Sequence, residues 1–240
     1  MGKGRLLLRG AGLVAFLGYA GGVAFLIASW SSLSPQAASE RVDALIDAGH
    51  TDDEAFRSAI AEIRRFNPSI ATYAEGVAAE SSQSASATSE SALDRAESKY
   101  AEAAAIEGPA QSNAMVRLAR LQIRRGEANR NPEQTIDLLE KAYALGSSRA
   151  GFELGQLYLS GDFVARDRNR AIKYFKEVAD GVPEASLALA QFYRDRVATP
   201  PSQATVLDLG ARAMWQFEER IRQTGATKYM LALANAYDGA

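Results

Sequence analysis

Any chemistry in this chain would have to start from a single histidine, because there is no cysteine. His50 stands between Gly49 and Thr51, with Asp52 and Asp53 just behind it. A catalytic zinc takes three protein ligands and a structural one four, so one imidazole beside two carboxylates lacks metal-ligand spacing. A nucleophile–base pair needs a hydroxyl or thiol held against the imidazole, and nothing around His50 marks one. Asp52 and Asp53 read better as anions at the positive end of the helix they open. No phosphate-binding glycine loop occurs, and Gly21-Gly22 lies inside an apolar run. The remaining Asp and Glu fall mostly at helix starts and on polar faces. The expectation is therefore no catalytic, cofactor-binding or metal-binding residue, no cofactor, and no enzyme.

Binding chemistry is the other possibility. Arg166, Arg168, Arg170 and Lys173 gather near one helix start. Read plainly they are a solvated face; read for function they are a candidate partner-binding patch for an acidic protein or an anionic polysaccharide. Tyr158, Tyr174, Tyr193 and Tyr237 could form a peptide-contacting stripe, although tyrosines at such regular positions serve packing more often. Acidic and basic residues number 29 and 27, giving a net charge of −2. Without a basic cluster in the globular part, nucleic acid is excluded as an expected partner.

The elements that hold these residues are helical. From about Arg149 to Leu159, Ala150, Leu154, Leu157 and Tyr158 share one face. Gly151 and Gly155 allow a neighbour to come close. Ser160-Gly161 ends that helix, since glycine takes the left-handed conformation at little cost. Val164 is an apolar plug in the connector. Asp167 then caps a second helix whose stripe is Ala171, Ile172, Phe175 and Val178, stopped by Gly181 and Pro183. The opening signature recurs: Leu154, Leu189 and Leu233 correspond, as do Tyr158, Tyr193 and Tyr237, at spacings of 35 and then 44 residues. A weaker copy with Ala114, Leu118 and Gln122 lies 36 residues upstream. Self-similarity at this period marks a stacked helical solenoid, in which no repeat buries its apolar face alone.

Leu154, Gly155, Tyr158, Gly161, Val164, Asp167, Ala171, Tyr174, Phe175, Ala179, Gly181 and Ala185 together resemble the Sel-one-like repeat, a relative of the tetratricopeptide repeat. The family usually has one more residue between the helix-B aromatic and the glycine. The resemblance covers roughly the C-terminal 130–150 residues and implies an all-α solenoid that works as an adaptor or scaffold without its own active site.

Ahead of the repeats, Lys3, Arg5 and Arg9 precede an uncharged run from Gly10 to Trp30. At about 1.5 Å per residue this run spans about 31 Å, close to a bilayer's hydrocarbon thickness. Positive charge on its N-terminal side would keep residues 1–9 in the cytoplasm and send the rest across. An uncleaved inner-membrane anchor over 10–30 is the leading reading, and a cleaved secretory signal the competing one. Gly18 and Gly22, and Ala20 and Ala24, permit close helix contact within the span. Residues 34–74 read as a helical hairpin, opened by Ser34-Pro35, capped again at Thr51 with Glu54 as its partner, and closed by Asn67-Pro68. Residues 75–92 read as a flexible linker, on the strength of the Ser/Ala-rich run from Ala78 to Ala92, which has no large apolar side chain. The repeat solenoid then occupies 93–240. Within it, Ala198-Thr199-Pro200-Pro201-Ser202 interrupts a lengthened repeat, followed by an amphipathic helix with Val206, Leu209, Ala213, Phe217 and Ile221.

Three functions are compatible with this reading. The leading one is a single-pass, inner-membrane-anchored periplasmic scaffold that binds other proteins of a bacterial envelope complex. The family resemblance suggests exopolysaccharide assembly as a setting. The second is a released periplasmic regulator that binds a sensor kinase, and the third is an envelope enzyme with an unrecognised site. Residues 226–237 repeat the helix-A signature with many apolar sides, through Met230, Leu231, Leu233, Ala234 and Tyr237. The expectation is a continuing repeat array, or self-association or a partner that covers this helix.

Overall fold

The computed structural model describes residues 35–47, 49–82, 89–126, 131–194 and 203–224. Ten helices lie among them, and no strand. In chain order they are α1 (Pro35–Asp47), α2 (Glu54–Ile63), α3 (Pro68–Ser81), α4 (Ser89–Ala105), α5 (Gln111–Arg124), α6 (Pro132–Ala144), α7 (Ser148–Ser160), α8 (Arg168–Val178), α9 (Pro183–Arg194) and α10 (Gln203–Thr224).

Their starts are written locally. Asp53, Asn67, Asn131, Ser147 and Asp167 each accept a hydrogen bond from the backbone N–H three residues on. This satisfies one of the donors every helix leaves open at its N-terminus. Pro68 and Pro132 follow two of these caps, where a missing N–H costs nothing. Gly161 closes α7 in the left-handed conformation, with φ 73°, as its sequence position predicts.

Each helix packs on the next, and the other substantial contacts join odd helices: α1 with α3, α3 with α5, and α5 with α7. The odd helices therefore line the inner side of the stack and the even ones its outer side. One apolar core threads the repeats through Met115, Leu139, Leu154, Phe175, Leu189 and Leu209. A second core, around Val42, Phe56, Ile63 and Ala71, holds α1 to α3 together. Val77, Leu93, Tyr100 and Leu121 bridge α3, α4 and α5. This is an α-solenoid.

Two sequence expectations change. α1 and α2 pack as the expected helical pair, but residues 34–74 reach past it: Asn67-Pro68, just beyond the end of α2, also opens α3, where the Asn67 side chain caps Ile70 N–H. The cap of α2 is Asp53, two residues beyond Thr51, which is itself buried. The linker expected over 75–92 is helical on both flanks, and residues 83–88 lie outside the described residues. Residues through Ser81 belong to α3 and those from Ser89 to α4. Small residues on these flanks allow close packing: Ala92 is buried, and a Cβ on Gly76 would sit 2.6 Å from the Tyr100 ring. The solenoid thus includes α3, ahead of the predicted boundary at 93. The proposed membrane span over 10–30, Ala198–Ser202, Leu233 and Tyr237 lie outside the described residues. Among those described, no helix is long and apolar enough to cross a membrane.

A polar hub fastens the α3–α4–α5 junction. Fully buried Tyr100 donates from its hydroxyl to Glu80 at 2.8 Å, and Arg117 and Arg124 of α5 also bind Glu80. Burial pushes the Glu80 carboxyl up, but the hydrogen bonds from Arg124 and Tyr100 and the two guanidinium charges outweigh it and leave the pKa lowered.

Three outcomes follow for stability. Leu154→Asp places an unpaired carboxylate in the continuous core and should cost several kcal/mol in denaturant unfolding. Gly155→Ala should destabilise by about 1–3 kcal/mol despite alanine's better helix propensity, because the new methyl would lie 2.5 Å from the buried Phe175 ring. Glu80's lowered pKa means its stabilisation is present above the unfolded carboxylate range and fades as pH falls through the folded value. Glu80→Gln should therefore be less stable than wild type at pH 7, and the two urea midpoints should converge on acidification.

Candidate functional site

The repeat-signature residues form the framework of the site. Leu154, Gly155, Tyr158, Ala171, Phe175, Leu189 and Tyr193 are all buried. Tyr158 and Tyr193 therefore serve packing and not peptide contact: Tyr158 stacks on half-buried Tyr174 at 6.1 Å between ring centroids, and Tyr193 lies under the Lys176 ammonium. In the α7–α8 connector Phe163 is the buried plug, while Val164 packs half-buried beside it. Gly181 is exposed just beyond α8.

The predicted basic patch is exposed at all four positions, but its members differ. Arg170 is engaged: its guanidinium lies over the Tyr158 ring, donates to the Tyr158 hydroxyl at 3.2 Å and pairs with Asp167 at 3.3 Å. Arg166, Arg168 and Lys173 have no ion-pair partner among the described residues. Lys173 and Lys176 flank a shallow groove of about 420 Å³ on the outer face of α8, with Ile172 in its wall. This arrangement can hold a complementary charged surface.

A second face was not singled out from the sequence. Arg117, Arg120 and Arg124 lie at i, i+3 and i+7 on α5, which is one side of a helix. They face acids on neighbouring odd helices. Arg117 reaches Glu80 of α3 at 3.4 Å, and Arg120 reaches Glu153 of α7 at 3.6 Å. Arg149 pairs with Glu153 at 3.0 Å and with Glu184 of α9 at 3.4 Å. An ion-pair ladder therefore runs along the inner side from α3 to α9. The arginine spacing was legible, but the partners of these three arginines sit 33 to 44 residues away and only stacking brings them together. Because these inner charges already have partners, a ligand there must displace existing pairs, whereas one on the outer face of α8 need not.

His50 is exposed, with Nδ1 3.2 Å from Asp53 Oδ2, at the start of α2. Among the described residues no group of three His, Cys, Asp or Glu side chains is placed to hold a metal ion.

A family model for the Sel1 repeat matches residues 112–147 and 148–181, which are the α5–α6 and α7–α8 pairs. Among curated proteins, none matches this sequence. Among solved structures, a Sel1 repeat protein from Oxalobacter formigenes is similar at a TM-score of 0.55 and 21% identity, covering 85% of this chain and 79% of that one. A protective antigen present in uropathogenic Escherichia coli strains, with an SLR fold, aligns at a TM-score of 0.45 and 16% identity, over 86% of this chain and 50% of that one. Sel1 repeats are helical-repeat modules for protein–protein interaction. The helix pairs α5–α6 and α7–α8 at the centre of this chain are two consecutive Sel1 repeats.

Proposed function

We propose that the chain is a membrane-anchored scaffold that displays its helical stack in the periplasm and gathers proteins of a bacterial envelope complex there. Binding is supported above all by the two Sel1 repeats, whose signature positions are consumed by packing while Arg168 and Lys173 on the outer side of α8 have no ion-pair partner among the described residues. The membrane assignment is supported by the sequence alone, through the uncharged run from Gly10 to Trp30 behind Lys3, Arg5 and Arg9. Exopolysaccharide assembly is the setting we favour, by analogy with the repeat family.

Two measurements test this reading. A reporter fused after Ala240 should be active in the periplasm, and the intact chain should resist carbonate extraction. A mature protein that begins after Trp30 in the soluble periplasmic fraction would instead make it a released regulator. Arg168→Glu should leave helicity and melting unchanged while reducing the proteins that co-purify with the chain. Unfolding by this exposed substitution would remove the patch from the binding surface.

A further inference from the structure

The two Sel1 repeats superpose at an offset of 36 residues, which lays Thr135 on Ala171, Leu139 on Phe175 and Ala142 on Val178. All six are buried. In that register Glu133 of α6 falls on Asn169, and the three other exposed charges of α6 are each inverted in α8: Asp137 becomes Lys173, Glu140 becomes Lys176 and Lys141 becomes Glu177. All six charged side chains are exposed. Contacts within the chain use these charges only in part. Lys141 pairs with Asp137 of its own helix at 2.7 Å, and Glu177 accepts a hydrogen bond from the Tyr143 hydroxyl at 2.9 Å. No ion pair joins α6 to α8 among the described residues.

We propose that this outer face pairs with the same face of a second copy of the chain, α6 of each protomer lying over α8 of the other. Short connections make successive helices antiparallel, so α6 and α8 run in the same sense. A two-fold axis parallel to both and midway between them carries α6 onto α8 without shifting equivalent positions along the axis. Asp137 then meets the partner's Lys173, Glu140 the partner's Lys176, and Lys141 the partner's Glu177. Such an isologous contact forms each pair twice. The pattern disfavours a simple polyanion, because an anion drawn to α8 meets the Asp137 and Glu140 carboxylates next to it. An identical copy, rotated, offers the opposite sign at each of these three pairs of positions.

The size of the face sets the strength of the contact. Two helices of 13 and 11 residues side by side offer about 400 Å² per protomer, roughly 800 Å² in all, below the usual range for stable complexes. With charged side chains and little apolar surface, the association should be weak, concentration-dependent and sensitive to salt. It does not depend on the membrane anchor or on any other partner.

The test uses the full chain, in a neutral detergent, followed by analytical ultracentrifugation. Wild type should show a monomer–dimer equilibrium that weakens about tenfold or more as salt rises from about 0.05 M to 0.5 M. Asp137→Lys with Glu140→Lys in one chain should abolish dimers, as should Lys173→Glu with Lys176→Glu in another, with helicity unchanged in both. Mixing the two reversed chains should restore dimerisation, because each then offers the sign the other needs. The absence of native cysteine allows a second readout. A chain with Asp137→Cys, mixed with one carrying Lys173→Cys, should cross-link through a short bismaleimide to a dimer, and neither should do so alone. A wild-type chain that stays monomeric, association indifferent to both reversals, or reversed chains that fail to rescue each other would each overturn the proposal. So would a monomeric chain that uses Lys173 and Lys176 only to hold a different, acidic protein.

Discussion

The Phe175 ring occupies the space that a Cβ on Gly155 would need, 2.5 Å from its nearest ring carbon. The α7–α8 pair depends on that approach. It lets α8 settle deeply enough for Phe175 to become fully buried and to touch Phe152 on one side and Phe192 of α9 on the other. One glycine thus links two helices of a repeat to the first helix of the next. Gly76 against Tyr100 does the same for α3 and α4. A stack built this way has no independent units, because each aromatic ring is shared between neighbours.

Once the core fixes the helices, charge divides between two sides. On the inner side, opposite charges from α3, α5, α7 and α9 alternate and pair. Individually such half-exposed pairs are worth about 0–1 kcal/mol. Their placement matters more: they leave little net charge unpaired along the inner groove. On the outer side α6 and α8 meet through Tyr143, which bonds Glu177 and packs edge-on against Tyr174, but no ion pair crosses between them among the described residues, and Lys173 keeps no ion-pair partner. The position held by Asp137 in α6 and Lys173 in α8 is filled in α10 by Trp215, which is 60% exposed. An outward site that accepts an anion, a cation and an aromatic in successive helices is under no constraint from the core.

Much of the framework was legible in the sequence. Asp167 as a cap, Gly161 as a left-handed stop, and Leu154, Ala171 and Phe175 as core are local or periodic properties, readable wherever one helix face repeats. The misreadings had a common cause. Residues 75–82 and 89–92 read as linker, and Asn67-Pro68 only as a stop, because neither the Tyr100 ring that needs Gly76 nor the role of Asn67 as a starting cap is visible in a short window. Arg170 was grouped with its basic neighbours, although its environment is the Tyr158 ring and Asp167.

By itself, the sequence determined the helical class, the repeat register and the residues that face inward, because these follow from spacing along a single helix. It also carries the whole case for an anchor over residues 10–30. Only the tertiary structure decided where the stack begins, which arginines find carboxylates, and which charges stay free. Those outcomes depend on groups more than thirty residues apart meeting at a few ångströms, as Glu80 meets Arg117 and Arg149 meets Glu184. Period and propensity describe one helix at a time, whereas the distance between two helices is set by the volume of the side chains packed between them.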